Sequence, residues 1–186
     1  MSYYVIIRGP LGVGKTTISN ALAKSIGAEV ISIDQIADKE WDGGSVRLYV
    51  RTNGIAARRA RRALAEGTPV VFDGCFYWKT QIEDLERRLR FPHEVFTLKA
   101  PLSVCVERDS HRKLVFGADA TGQVYRKVTR FESGVSVDAT QDIATSVRAI
   151  RSQLSRGAGR LHSRGMRRVS SALHFFHEPE THPSCE

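Results

Sequence analysis

The sequence predicts an α/β fold: a parallel sheet of about five strands with helices on both faces. Two observations carry this. Short apolar runs, "YYVII", "EVISI", "PVVF", "EVFTL" and "VSV", alternate with stretches whose apolar residues recur at three- and four-residue steps. The connections between them are short and punctuated by glycine, proline and aspartate.

Residues 3–8 read as a buried strand, followed by the turn "GPLGVGKTT" (9–17). A helix begins at Lys15, with Ile18, Ala21, Leu22 and Ile26 on one face and Gly27 as its cap. The second strand (29–33) ends at Asp34. A long helix is predicted over about 45–66, stopped by Gly67 and weakened at Gly54. On a wheel its buried stripe is Val46, Val50, Ala57 and Leu64, and Arg47, Arg51, Arg58, Arg61 and Arg62 share an arc of about 100° beside that stripe. The third strand (69–72) runs into Asp73-Gly74. Thr80 and Glu83 have capping-box spacing ahead of Ile82, Leu85 and Leu89, and a fourth strand covers 94–98. Pro101 opens the next helix. Residues 112–122 read as a mobile loop, Val124, Val128 and Phe131 resume helical spacing, and 135–137 form a short fifth strand. Ile143, Val147, Ile150 and Leu154 mark a last amphipathic helix, at whose end the domain (1–154) is expected to stop. Residues 155–186 are rich in Ser, Gly, Arg and His without sustained periodicity and read as a disordered tail. The irregular spacing of His162, His174, His177 and His182 assigns them no metal chemistry.

The length of 186 residues suits one domain. Three widely spaced cysteines, Cys75, Cys105 and Cys185, fit neither a disulfide framework nor a zinc site. No run approaches the roughly 20 apolar residues of a membrane span, and no leader precedes the first strand, so a cytoplasmic protein without membrane association is expected. Twenty-eight basic against 20 acidic residues give a net charge of +8, which favours anionic partners without choosing among them.

The turn at 9–17 matches G-x-x-x-x-G-K-[ST], with Gly9, Gly14, Lys15 and Thr16 in the fixed places and the required strand before and helix after. Gly9, Gly12 and Gly14 let successive N–H groups converge on one concavity, and the helix N-terminus with Thr16 and Thr17 adds partial positive charge. Such a loop cradles a polyphosphate. Lys15 would reach the β- and γ-phosphates, and Thr16 would offer its hydroxyl to Mg²⁺.

The guanine-reading N-K-x-D element and an "LSGGQ"-type element are absent, and the D-x-x-G match at Asp119 to Gly122 follows no strand. Over residues 1 to about 154 the chain resembles the small phosphotransferases of the P-loop kinase group, among them adenylate and shikimate kinases, chloramphenicol phosphotransferase and 5′-hydroxyl polynucleotide kinases. "VVFDG" resembles the group's Asp-Gly element, which implies Asp73 beside the Mg²⁺. "FTLKAPLSVCVERDSHR" (96–112) resembles the segment delivering lid arginines, which implies Arg108 and Arg112 near the transferring phosphoryl. "ISID" places Asp34 where hydroxyl kinases of the group often carry their base. The resemblance implies ATP and Mg²⁺ as cofactors and a hydroxyl-bearing acceptor. The rival function is a regulatory ATPase with no organic acceptor.

Asp34 and Asp73 each have a second reading, as N-caps of the helices that follow, and Arg108, Arg112 and Lys113 have one as an ordinary solvated helix end. After Asp-Gly, "CFYWK" stands where monophosphate kinases resemble "FPR", which favours a neutral hydroxyl or a 5′-end as acceptor. Phe76, Tyr77, Trp78 and Trp41 are expected to flank that acceptor, by stacking on it or by core packing. The arginine arc has two readings as well: a track for a nucleic-acid backbone leading to a 5′-hydroxyl, or a solvated basic face.

Overall fold

The structure, a computed structural model, describes residues 2–41 and 47–164. Five strands, β1 (Tyr4–Arg8), β2 (Glu29–Ser32), β3 (Val70–Gly74), β4 (His93–Lys99) and β5 (Val135–Asp138), form one sheet in the order β2-β3-β1-β4-β5. Every pairing is parallel, so each connection must cross over, and the helices that make the crossings cover both faces. These are α1 (Lys15–Ile26), α2 (Ile33–Lys39), α3 (Arg47–Ala65), α4 (Lys79–Leu89), α5 (Leu102–Ser110), α6 (Ala118–Val128) and α7 (Ile143–Arg164).

β1 lies at the centre and is wholly buried. Alternation sends Tyr4 and Ile6 to a core layer shared with Ala60 and Leu64 of α3 and Ile82 and Leu85 of α4. It sends Val5 and Ile7 to the opposite layer, with Ile18 and Leu22 of α1 and Val147, Ile150 and Leu154 of α7. Burial on both faces is what makes the strand runs continuously apolar.

Several elements differ from expectation. β2 stops at Ser32, whose hydroxyl accepts the Gln35 N–H at 3.3 Å and caps α2, so Asp34 sits in the first turn of a helix rather than at a strand end. α4 starts at Lys79, and the Gln81 side chain accepts from the Trp78 N–H at 3.1 Å, so the capping interaction falls two residues before Thr80. α6 begins at Ala118, inside the stretch read as loop, because the Asp109 carboxylate receives the N–H groups of Phe116 and Gly117 at 3.0 and 2.9 Å and closes the connection there. Phe131 lies beyond that helix. α7 runs ten residues past Leu154 to Arg164. Val46 and residues 165–186, with most of the predicted tail and His174, His177 and His182, lie outside the described residues.

The face of α3 also differs. The expected Ala57 and Leu64 are buried, but so are Leu48, Thr52, Asn53, Ala56, Ala60 and Ala63, while Val50 is 57% exposed. The buried centre is therefore displaced by roughly 75° on the wheel, and Arg51, Arg58, Arg61 and Arg62 stand opposite it, on the solvent side. Thr52 and Asn53 caused the misreading. Asn53 Nδ2 donates to Gln81 O at 2.8 Å and Asp84 Oδ2 at 3.1 Å, so a polar residue fixes α3 to α4. Arg51 pairs with Glu40 at 2.7 Å, Arg62 with Glu66 at 3.3 Å, and Arg61 donates to Arg88 O at 2.5 Å. Arg51, Arg61 and Arg62 thus have local partners, which weakens the repulsion argument for a nucleic-acid track. Among the described residues no helix is long and apolar enough to cross a membrane, and Cys75 and Cys105 are free thiols.

Candidate active site

The predicted phosphate loop, Asp73 and Asp34 meet beyond the carboxyl ends of the central strands, where open parallel sheets place their ligands. Two glycines take left-handed backbone here: Gly12 with φ 77° and Gly14, the N-cap of α1, with φ 98°. A Cβ at Gly12 would stand 2.1 Å from the Cys105 carbonyl oxygen, so the loop is pressed against α5. Gly9 is similarly close to Val13 and Leu98. Glycine is the residue that permits both the conformation and the approach.

Lys15 is 7% exposed, and its ammonium donates to the Pro10 carbonyl at 3.1 Å, so it curls back over the loop. Burial pulls its pKa down, yet Cys75, Asp34 and Asp73 around it outweigh burial and the net shift is upward. Burial pushes the Cys75 thiol up to about 12. Thr16 Oγ1 donates to Asp73 Oδ2 at 2.8 Å. Asp73 is 2% exposed and its Oδ1 has no partner. Burial raises its carboxyl pKa against the lowering pull of Lys15 and the Thr16 hydroxyl. A buried carboxylate with one orphan oxygen beside a hydroxyl is a donor set that fits a hard divalent cation such as Mg²⁺.

Asp34 enters from α2. Its Oδ1 accepts the Cys75 N–H at 3.1 Å and its Oδ2 the Cys75 thiol at 3.4 Å. Gln35 N–H, not an Asp34 bond, completes the α2 cap, so the carboxylate is not spent on capping. Arg108 donates to Val13 O at 3.1 Å and Ala139 O at 2.8 Å, with Gly14 close by. Arg112 is held 3.6 Å from Asp109 and lies over the Phe116 ring, and its charge lowers the Asp73 pKa. Thr17 is exposed on the first turn of α1, and Arg126, Lys127 and Arg130 are exposed around the end of α6. Asp119 to Gly122 belong to α6 and follow no strand.

Of the four expected aromatics, Phe76 is core at 1% exposure and Trp41 stands out in solvent. Tyr77 and Trp78 form a ring cluster with Tyr49 of α3, at centroid distances of 6.1 and 4.6 Å from it. Burial raises the Tyr49 pKa, and Asp34 adds to the rise electrostatically. Tyr49 is absent from the sequence expectations; once the α3 face is corrected, its position one turn before Asn53 brings it toward this cleft.

An uncharacterized protein of Mycobacterium tuberculosis is 28% identical over 159 residues, a match covering 77% of this chain and 28% of the relative, so the chain spans under a third of the curated relatives it matches. Among solved structures, a gluconokinase from Sinorhizobium meliloti 1021 superposes with a TM-score of 0.67 at 21% identity, covering 87% of this chain and 96% of that one. A sugar kinase from Janibacter sp. HTCC2649 gives 0.69 at 18% identity, with 83% and 95% covered. At these identities the likeness is one of fold, that of the small P-loop kinases. The sequence profile of the AAA domain matches residues 5–131, from β1 through α6 and with the phosphate loop, Asp34 and Asp73 inside it, and the chain belongs to the AAA domain family.

Proposed function

We propose that the chain is an ATP-dependent kinase that transfers the γ-phosphoryl group to an acceptor hydroxyl. The observation that carries this reading is the Asp34 carboxylate, oriented by Cys75 at 3.1 Å, in the same cleft as buried Lys15 and the Thr16–Asp73 pair. A second oriented carboxylate suits a group that must orient an attacking hydroxyl, and the labelled-acceptor experiment below separates an organic hydroxyl from water.

In this reading the loop N–H groups and Lys15 hold the β- and γ-phosphates, and Arg108 and Arg112 face the developing charge. Thr16 and Asp73 would hold a magnesium ion, which screens phosphate charge when bound. Asp34 orients the acceptor hydroxyl. The hydroxyl oxygen bonds to the γ-phosphorus, the bond to the β,γ-bridging oxygen breaks, and the hydroxyl proton passes to the Asp34 carboxylate. The apolar tip Leu114, Val115 and Phe116, exposed at 70, 52 and 49%, is suited to close over the site and exclude water. Tyr49, Tyr77 and Trp78 offer ring faces to the acceptor, and the names gluconokinase and sugar kinase among the fold relatives support a polyhydroxy compound.

The test is γ-labelled ATP with Mg²⁺ against sugars, nucleosides, small alcohols and 5′-hydroxyl oligonucleotides. Label should enter an acceptor, and Lys15→Ala should lower that transfer by roughly 10²-fold or more. Phosphate release with no labelled acceptor would make the chain an ATPase instead.

A further inference from the structure

We propose that Arg8 is a positioning residue that ties the end of α6 to the turn holding Asp34; only the kinetic arm of this proposal rests on the kinase reading. Arg8 is the last residue of β1, directly before the phosphate loop, and is fully buried. Its guanidinium forks across three segments. Nη1 donates to Thr97 Oγ1 at 3.1 Å and Phe131 O at 3.2 Å, and Nη2 to Val128 O at 2.7 Å and Phe76 O at 3.4 Å. The Phe131 ring lies 4.0 Å from the guanidinium carbon.

None of these hydrogen bonds goes to a carboxylate, and Nε has no partner. A buried cation without a bonded counter-ion is a poor source of stability, and an apolar side chain of the same shape serves a core at least as well. What the guanidinium does that no apolar group can is hold carbonyls from separate segments in one plane. One is Val128 O in the last turn of α6, an end that favours a cation. Another belongs to Phe76, a non-glycine residue at φ 48°. Such a conformation persists only when its surroundings hold it. Immediately before it, Cys75 orients both oxygens of Asp34. Thr97 Oγ1 passes the connection on to Ser133 O at 2.7 Å. Movement of the α6 end is thereby linked to the placement of Asp34, through a residue that touches neither acceptor nor nucleotide.

Trp78 lies two residues after Phe76, and with Trp41→Phe it becomes the chain's lone tryptophan. In that background Arg8→Met should keep its far-UV circular dichroism, shift the Trp78 emission maximum and alter its quenching by acrylamide. For the labelled acceptor, kcat should fall by about 10- to 100-fold while the KM for ATP stays within about twofold. Arg8→Lys should behave like Arg8→Met, because one ammonium cannot reproduce the fork; it also carries the test if Arg8→Met does not fold. A folded variant with kcat within about twofold of the parent overturns the proposal, and so does full restoration by lysine, which would make charge alone sufficient. Should the parent label no acceptor, the kinase reading fails by itself. Trp78 then decides: an unchanged signal in the folded variant overturns the role of Arg8, and a changed one upholds it.

Discussion

Gly12→Ala puts one methyl group where the phosphate loop meets α5. The added carbon would lie 2.1 Å from the Cys105 oxygen, against the 3.0 Å below which real Cβ atoms essentially never approach, and a φ of 77° disfavours any side chain. The backbone strain costs about 1–3 kcal/mol. Relieving the overlap costs about 1–3 kcal/mol more, as overpacking does elsewhere. The combined loss, about 2–6 kcal/mol, lowers Tm by about 5–20 °C in a chain of this size. The overlap is relieved by moving the loop about 1 Å off α5, and displacement on that scale costs a preorganised site roughly 10²-fold, so ATP binding should weaken as well. Gly54→Ala is the control. At that position, inside α3, the nearest atom is Arg88 Nη1 at 3.7 Å, an ordinary contact, and the change should stabilise by about 0.5–1 kcal/mol. Differential scanning fluorimetry with and without ATP reads both variants. A Gly12→Ala protein melting within about 2 °C of the parent with unaltered ATP binding would refute the reasoning.

Asp34→Asn keeps an acceptor for the Cys75 N–H but loses the proton-accepting charge, so transfer should fall by roughly 10²-fold or more while ATP affinity, measured by calorimetry, is retained. Asp73→Asn should also abolish most transfer, yet raise the Tm of the ligand-free protein. The sign follows from the raised folded-state pKa of Asp73: its ionised form weighs against the fold above that pKa and is relieved as pH falls through it. The Tm advantage of the Asn variant should therefore shrink on acidification. Cys75, 3% exposed with its thiol at about 12, should resist iodoacetamide at pH 8 in the folded protein and react after unfolding in urea, as peptide mass spectrometry would record.

The phosphate loop was legible because its chemistry is local: Gly9, Gly14, Lys15 and Thr16 are neighbours in the chain and their spacing alone implies a cradle. The strands were legible because burial on both faces leaves continuous apolar runs. The face of α3 was not, since Thr52 and Asn53 are polar by type and buried by virtue of partners on α4, Gln81 and Asp84, that wheel geometry cannot reveal. The second strand was read one residue too long, and α2 was not read, for a smaller reason: Ser32 and Asp34 are both good caps, and only the Gln35 N–H chooses between them. Arg8 carried a signal that went unread, a charge at the end of an apolar run. Its meaning lies in Val128 and Phe131, 120 and 123 residues away.

The central place of β1 has a consequence for how the chain is made. Its partners are β3 and β4, with Tyr4 in register with Val70 and His93, so the strand "YVIIR" gains its first neighbour only after about 65 further residues have been synthesised and its second only after about 90. At roughly 5–20 residues per second that is a wait of about 3–13 s for the first neighbour and about 5–18 s for the second. Throughout it, five residues that are wholly buried in the folded protein remain solvent-exposed and able to pair with any other strand edge. Low temperature, which slows translation, lengthens that interval, and coverage of nascent apolar segments by a chaperone shortens its effective hazard.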